Sequence, residues 1–219
     1  MKQILIACSM MEDEIKKAVQ ETKCSLPIIW MEKGLHNTPK HLRKRLQETI
    51  NDVSDYEQIL LAYGLCGKGT CGLSHPRGQL IIPKFDDCPN LLLCTEKREQ
   101  RNLLKIGSFY LTRGWSLDPK ENILAVHEKN KQRFGEEMAD KIFETMYRSY
   151  QKLVIIDTNS YPLLPVMDYA QKVSALSGMS VKITEGSIHI LRQLITGFWD
   201  ENFIVQKNGE TLNIHQWEF

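Results

Sequence analysis

The stretch LLAYGLCGKGTCGL, from Leu60 to Leu73, places four glycines and two cysteines in nine residues directly behind an apolar run. Its segment GKGTCG matches the G-x-G-x-x-G pattern of dinucleotide-binding loops, which requires that the last glycine open a helix. Pro76 and Gly78 follow too soon for such a helix to form. A phosphate-binding loop of the Walker type fails as well, because Gly69 stands where that pattern needs Ser or Thr. The cysteines therefore need another explanation.

Three cysteines occupy equivalent places, each just beyond a predicted strand. Cys8 directly follows the first strand, Cys66 comes shortly after the third, and Cys88 lies in the loop that leaves the fourth. His36 follows the second strand in the same way. In open α/β sheets, ligands bind in the crevice outside the carboxyl ends of the strands. We therefore expect these three thiols to converge, with the histidine at the same edge of the sheet.

The chemistry that this set suggests is thiolate coordination of a metal. Three cysteines and a histidine suit tetrahedral zinc. Three cysteines with one open coordination position suit a [4Fe-4S] cluster whose unique iron can bind substrate. We favour the cluster over zinc, with Cys8, Cys66 and Cys88 as ligands and His36 as an acid/base group. The spacing Cys66-x-x-x-x-Cys71 is not diagnostic, since it lacks the C-x-x-C pair typical of strong metal motifs.

Simpler interpretations of the cysteines stay open. Cys8 suits a small buried residue, and Cys94 suits the core equally well. Cys24 suits an incidental loop thiol. Cys66 and Cys71 are also compatible with two independent loop thiols or with a redox-sensing pair.

Other polar side chains near the strand ends are candidates for binding and catalysis. Asp87 precedes Cys88 and could accept a proton beside the histidine. Lys68, Arg113, Trp115 and Asp157 are candidates for binding a small substrate. Three of these have a structural alternative: a solvated loop for Asp87, the core for Trp115 and a helix cap for Asp157.

The elements that must position these residues alternate between apolar strands and amphipathic helices. Strands are predicted at 4–7, 27–31, 58–63, 79–82, 108–112, 153–157, 181–184 and 203–205. Helices are predicted at 12–21, 38–51, 89–104, 120–131, 136–150, 165–176 and 187–196. This alternation predicts an α/β fold with mainly parallel sheet(s), helices on both faces and the site at the carboxyl ends of the strands. We expect one domain over residues 1–219, with a weak boundary between two lobes near 118–135.

Composition excludes several classes of protein. The 219 residues carry a formal net charge of +1, so no global field favours nucleic acid or an anionic membrane. No apolar run approaches the length of a membrane span. The start MKQILIAC lacks the apolar region of a signal peptide, which predicts a cytoplasmic protein. In that reducing compartment, six cysteines are better explained as ligands, nucleophiles or core thiols than as disulfides.

A set of motifs in fixed order carries a family resemblance. The motifs are ILIACS, KGLHNTPKHL, YGLCGKGTCGL, LIIPKFDDC, LTRGW and GFWDENF. With them the chain, from Ile4 to about Val205, resembles a bacterial and archaeal family classed as domain-of-unknown-function family 1638. Its pattern resembles this chain at Cys8, His36, Cys66 and Cys88. The chain departs from it in the run Lys84-Phe85-Asp86, where the family usually has an arginine followed by Cys-His.

The resemblance implies a place in metabolism. Members are often encoded beside corrinoid-dependent methyltransferases of anaerobes, which implies one-carbon metabolism. The expected protein is then a metal-dependent enzyme of lyase or methyl-transfer type that acts on a small polar substrate. The alternative is a non-enzymatic accessory protein or metal carrier, with a corrinoid methyltransferase or corrinoid protein as its partner.

Overall fold

The computed structural model describes residues 2–93 and 105–217, which form two sheets and the helices around them. The strands are β1 Gln3–Cys8, β2 Ile28–Met31, β3 Gln58–Ala62, β4 Gln79–Pro83, β5 Ser108–Leu111, β6 Lys152–Asp157, β7 Ser180–Glu185 and β8 Phe203–Gln206. The helices are α1 Glu12–Thr22, α2 Pro39–Asp52, α3 Cys88–Leu93, α4 Arg113–Ser116, α5 Ile123–Phe134, α6 Glu136–Tyr147, α7 Leu163–Ser177 and α8 His189–Thr196. Three short 3-10 turns lie at Ser9–Met11, Leu35–Asn37 and Ile214–Trp217.

The chain divides into two compact units. The first comprises Met1–Cys94 together with Ser187–Phe219, and the second comprises Thr95–Gly186. The stretch 118–135, for which a weak boundary was predicted, lies inside the second unit.

The first unit is built on a five-stranded sheet in the order β2-β1-β3-β4-β8. All pairs are parallel except that of β4 with β8. Strand β3 is buried along its whole length, as expected for an apolar strand covered on both faces. The chain leaves β1 toward β2 on one side and then returns to β3 on the other. The gap between the carboxyl ends of β1 and β3 is therefore the topological switch point, where ligands bind in such sheets.

Helices α1 and α2 cover the two faces of this sheet, because right-handed crossovers in opposite directions place them on opposite sides. Helix α1 begins with an acidic first turn, which suits the helix dipole, and packs against α8. Helix α2 has Pro39 at its first turn and buries Leu42, Leu46 and Ile50 at four-residue intervals. Both helices thus hold their apolar stripes against the strands that carry the cysteines.

The second unit contains a parallel three-stranded sheet in the order β5-β6-β7. Its core packs α7 against β6 and β7 and includes a buried aromatic residue on α6, Phe143. Helices α5 and α6 form a hairpin through Gly135, whose φ of 83° lies in the left-handed region open to glycine. Helix α5 begins where the Asn122 side chain accepts a hydrogen bond from the backbone N–H of Ala125 at 2.8 Å.

The predicted α/β class with mainly parallel sheets is confirmed. Each predicted strand is present, with its ends within one or two residues of the predicted ones. The helix predicted at 120–131 begins only at Ile123, because Asn122 caps it. The helix predicted at 89–104 starts at Cys88, and its second half, with Cys94, lies outside the described residues. No helix in the described ranges is long and apolar enough to cross a membrane.

Candidate metal centre

The thiols of Cys8, Cys66 and Cys88 meet at the carboxyl edge of the first sheet. The thiol of Cys88 is in hydrogen-bonding contact with those of Cys8 and Cys66. Cys8 and Cys66 are buried, and Cys88 keeps part of its surface while its thiol is enclosed by protein. All five cysteines of the described residues are free thiols. Three residues that are far apart in sequence thus form one cluster at the switch point, which we call the thiol cluster.

The register of β1 and β3 determines what lies beside Cys8. Ala7 pairs with Ala62, so the next residues along the two parallel strands are Cys8 and Tyr63. Neighbouring residues in a strand point to opposite faces, and residues in register point to the same face. Continued one residue past the end of β3, this register places Cys8 and Tyr63 side by side on the face opposite to the two alanines.

The loop after β3 brings Cys66 to the cluster through a run of left-handed backbone. Cys66, Gly67 and Lys68 have φ values of 46°, 64° and 71°. The backbone N–H of Cys66 donates to the carbonyl of Asp86 at 2.9 Å, and that of Leu65 donates to the carbonyl of Phe85 at 2.7 Å. These two bonds tie the Cys66 loop to the loop that carries Cys88.

Gly64 allows this close approach. A Cβ atom at this position would lie 2.7 Å from the carbonyl oxygen of Phe85 and 2.8 Å from the backbone nitrogen of Asp87. The glycine is needed here because only a bare Cα lets the two loops come into contact. Turns rather than a helix follow from Cys66 to Gly72.

Cys88 is held at the first position of α3. Asp87 precedes it, and one carboxylate oxygen of Asp87 accepts from the backbone N–H of Asn90 at 2.9 Å, which is the geometry of a helix cap. The buried side chain of Phe85 anchors the same loop from the other side. In this chain the Phe85 position therefore serves the core.

The pKa values of Cys8 and Cys88 are shifted in opposite directions. The hydrogen bond with Cys88 lowers the pKa of Cys8 against the effect of burial, and the Met10 backbone N–H, the Tyr63 hydroxyl and the Lys33 ammonium group act in the same direction. Hydrogen bonds with Cys66 and Cys8, followed by burial, raise the pKa of Cys88. Of these two thiols, Cys8 is therefore the one that ionises more readily, and Cys88 is the one that donates to it.

Tyr63 is a buried residue next to the thiol cluster. Only 2% of the residue is exposed, and its hydroxyl has no hydrogen-bond partner of normal geometry among the described residues. Burial, followed by the charges of Cys8, Cys88 and Cys66, raises the pKa of Tyr63. The thiol of Cys8 is near enough to influence the hydroxyl, yet the two groups do not form a well-directed bond. Tyr63 is thus a neutral donor that faces three sulfur atoms.

A bound metal needs ligands that surround one point and that suit it chemically. As they are placed, no three His, Cys, Asp or Glu side chains within 2–93 and 105–217 surround a common point that could hold an ion. Cys88 is in contact with each of the other two thiols. In chemistry the set fits a soft metal, since three thiols lie in one buried place.

Two further candidates of the first unit are exposed side chains. His36 lies on the turn Leu35–Asn37, where its side chain is exposed. Lys68 is exposed, and its carbonyl accepts from Arg43 at 2.9 Å. Burial raises the pKa of Cys71, opposed by the positive charges of Arg43 and Lys68. The charge of Lys68 therefore acts on Cys71.

Three candidates belong to the second unit. Arg113 is exposed at the start of α4. Trp115 packs its ring on Phe109, with the ring centroids 4.8 Å apart, as part of the core. Asp157 ends β6 and accepts from the backbone N–H of Asn159 at 2.9 Å. Trp115 and Asp157 therefore have structural roles within this unit.

The sequence analysis missed Tyr63 as a member of the site. A tyrosine at the end of an aliphatic strand looks like a core residue, and strand register was needed to place it beside Cys8. The signal available in the sequence was the single hydroxyl in the run ILLAYG, one residue before the glycine of the Cys66 loop.

Comparison with protein families identifies the family of this chain. A family model described as "Protein of unknown function (DUF1638)" matches residues 30–195, more than half of the chain. The chain belongs to this family. The matched segment contains Cys66 and Cys88 with the loops that join them, and Cys8 precedes it on β1. Searches of the curated proteins and of the solved structures find no match.

Proposed function

We propose that this member of the family is a cysteine-liganded metalloprotein in which Cys8, Cys66 and Cys88 hold a metal centre. The observation that carries the proposal is the contact of three thiols from three strand ends at the switch point of the sheet. Buried free cysteines are often inert core residues. Three cysteines, with the thiol of one in contact with those of the other two next to an unpartnered buried hydroxyl, are better explained as a ligand set.

The spacing of the thiols supports a single ion more than a cluster. Zinc–sulfur bonds of about 2.3 Å hold the ligand sulfurs about 3.8 Å apart in a tetrahedral site, which is the range of a thiol–thiol contact. In an iron–sulfur cluster each cysteine binds a different iron, so the ligand sulfurs lie farther apart. Two of the three sulfur pairs are already in contact. A single ion keeps these pairs of sulfurs in contact, whereas a cluster must separate both pairs.

Three protein ligands leave a coordination position for substrate. When bound, such a metal supplies a Lewis acid for a small polar substrate or a site for a thiol or methyl acceptor. The chain itself supplies enclosure, because the thiols and the Tyr63 ring are buried. Asp87 and the exposed His36 are the candidates for proton transfer. A cytoplasmic enzyme of lyase or methyl-transfer type in corrinoid-linked one-carbon metabolism is the proposed setting, which rests on the family resemblance.

The test is metal analysis after anaerobic expression and purification, with a visible spectrum. We expect about one metal ion per chain, lost in Cys66→Ser and Cys88→Ser. Cys71→Ser is the matched control, because Cys71 lies in the same loop and is outside the thiol cluster. Iron with sulfide and broad visible absorption would assign the cluster instead of zinc. Wild-type protein without metal, or equal loss in Cys71→Ser, would refute the metal centre.

A second measurement separates an enzyme from an accessory protein. The metal-loaded protein is mixed with a corrinoid methyltransferase, and transfer of the metal is followed with a metal-sensitive dye. Retention of the metal supports a resident centre. Transfer to the partner supports the carrier role.

A further inference from the structure

The hydroxyl of Tyr63 is the buried polar group that the protein itself leaves unused at the thiol cluster. It lies at the carboxyl end of β3, beside Cys8 in the register of the sheet. Although 98% of the residue is removed from solvent, the described residues offer the hydroxyl no well-formed hydrogen bond. Leaving such a group unpaired destabilises a protein, and phenylalanine would fill the same space without this penalty.

Packing alone therefore does not account for tyrosine at this position. The buried side chains on β3 before it are aliphatic, from Ile59 to Ala62, and a ring without a hydroxyl would continue that pattern. What the hydroxyl faces is the sulfur of Cys8 and, further out, those of Cys66 and Cys88. A neutral thiol is a weak acceptor, so the hydroxyl gains little from it.

We infer that Tyr63 is a positioning residue of the metal centre, whose hydroxyl donates a hydrogen bond to the Cys8 sulfur once that sulfur is a metal-bound thiolate. The inference rests on the proposed function. Replacing the thiol proton with a metal turns the sulfur into an anionic acceptor, and hydrogen bonds to ionised acceptors are shorter and stronger than neutral ones. The bond fixes the orientation of Cys8 toward the metal, as outer partners of metal ligands generally do.

The experiment compares Tyr63→Phe with Tyr56→Phe. Tyr56 precedes the same strand at its opposite end, and its ring lies under the Lys2 ammonium group, so its variant makes the same chemical change away from the thiols. Two quantities are measured for each: zinc affinity by competition with a chelator, and the thiolate-to-metal charge-transfer bands of the Co²⁺-substituted protein. Thermal unfolding of the metal-free proteins gives a third.

We expect Tyr63→Phe to keep one metal ion per chain but to bind zinc about 10- to 100-fold more weakly, as for other partners of metal ligands. Its Co²⁺ bands should shift, while metal-free protein should unfold at the same or a higher temperature than wild type. Tyr56→Phe should leave affinity and bands unchanged. A hydroxyl that served only the fold would show the reverse, with lower stability and unaltered metal affinity.

Each result is decisive. Equal zinc affinity and unshifted bands in Tyr63→Phe, with normal binding in wild type, would overturn the role of Tyr63 and leave the metal centre standing. A metal-free Tyr63→Phe that unfolds well below wild type would also overturn it, because the hydroxyl would then have a partner within the fold. A wild-type protein that binds no metal would overturn both proposals.

Discussion

Gly64 is the position where one added methyl group should disturb both the fold and the thiol cluster. The Cβ atom of Gly64→Ala would lie 2.7 Å from the carbonyl oxygen of Phe85 and within 3.0 Å of the backbone of Asp87. These are backbone atoms, so no side-chain rotation relieves the clash. The loop that carries Cys88 must move away from the loop that carries Cys66.

The magnitude follows from what that movement breaks. Overpacking in a well-packed site costs about 1–3 kcal/mol. The bonds from Leu65 to Phe85 and from Cys66 to Asp86 lie across the same gap, and losing them costs about 1 kcal/mol each. Alanine restricts the unfolded chain and recovers about 0.4–1 kcal/mol. The free energy of unfolding should therefore fall by about 3 kcal/mol.

Urea unfolding and zinc titration measure the two effects, and Gly78→Ala is the matched control. Its Cβ atom would lie 2.3 Å from the carbonyl oxygen of Glu57, a comparable backbone clash next to β4 at the end opposite to Cys88. Both variants should lose stability, and only Gly64→Ala should also lose zinc affinity in the fraction that remains folded. The reasoning is refuted if Gly64→Ala unfolds like wild type, or if Gly78→Ala weakens zinc binding equally.

Two further predictions concern the second unit. Asn122→Ala should lower the free energy of unfolding by about 1 kcal/mol through loss of the cap of α5, measured by urea unfolding; no change would refute the cap. Tyr169→Phe should lower it by about 1–2 kcal/mol, because the buried Ile123 N–H donates to that hydroxyl at 2.9 Å. Burial raises the pKa of Tyr169, so the folded state keeps a proton that the unfolded chain loses near pH 10, and stability is lost as the pH rises further. Wild type should therefore lose more stability above about pH 10 than Tyr169→Phe does, and equal slopes would contradict this.

Local patterns were enough to predict most elements of the fold. The four-residue spacing of Leu42, Leu46 and Ile50 and the proline at the first turn define α2 without any tertiary information. Strand order is different, because every apolar strand suits the middle of a sheet equally well. The order β2-β1-β3-β4-β8, and with it the switch point, follows from packing between distant segments.

In the candidate site, too, local sequence predicts some features, whereas others depend on the folded backbone. Each cysteine could be placed from its position after a strand, since the carboxyl ends of parallel strands share one edge. His36 also follows a strand, yet the turn Leu35–Asn37 buries Leu35 and leaves the histidine exposed. A side chain's direction on an irregular turn depends on its backbone angles, beginning with the φ of 77° at Gly34. Sequence position alone does not contain that information.

In the Leu60–Leu73 stretch, Gly64 is the glycine that lets two loops approach each other. Within four residues, β3 and its loop supply the hydroxyl of Tyr63, the bare Cα of Gly64 and the thiol of Cys66. The hydroxyl faces Cys8, the bare Cα admits the Cys88 loop, and the thiol contacts Cys88. Backbone N–H groups that a nucleotide phosphate would need are used here by carbonyls, as those of Cys66, Gly69 and Thr70 show. The sequence pattern of the candidate site is therefore Tyr-Gly-x-Cys together with a distant Asp-Cys. These residues supply the contacts among the hydroxyl, the two loops and the thiols.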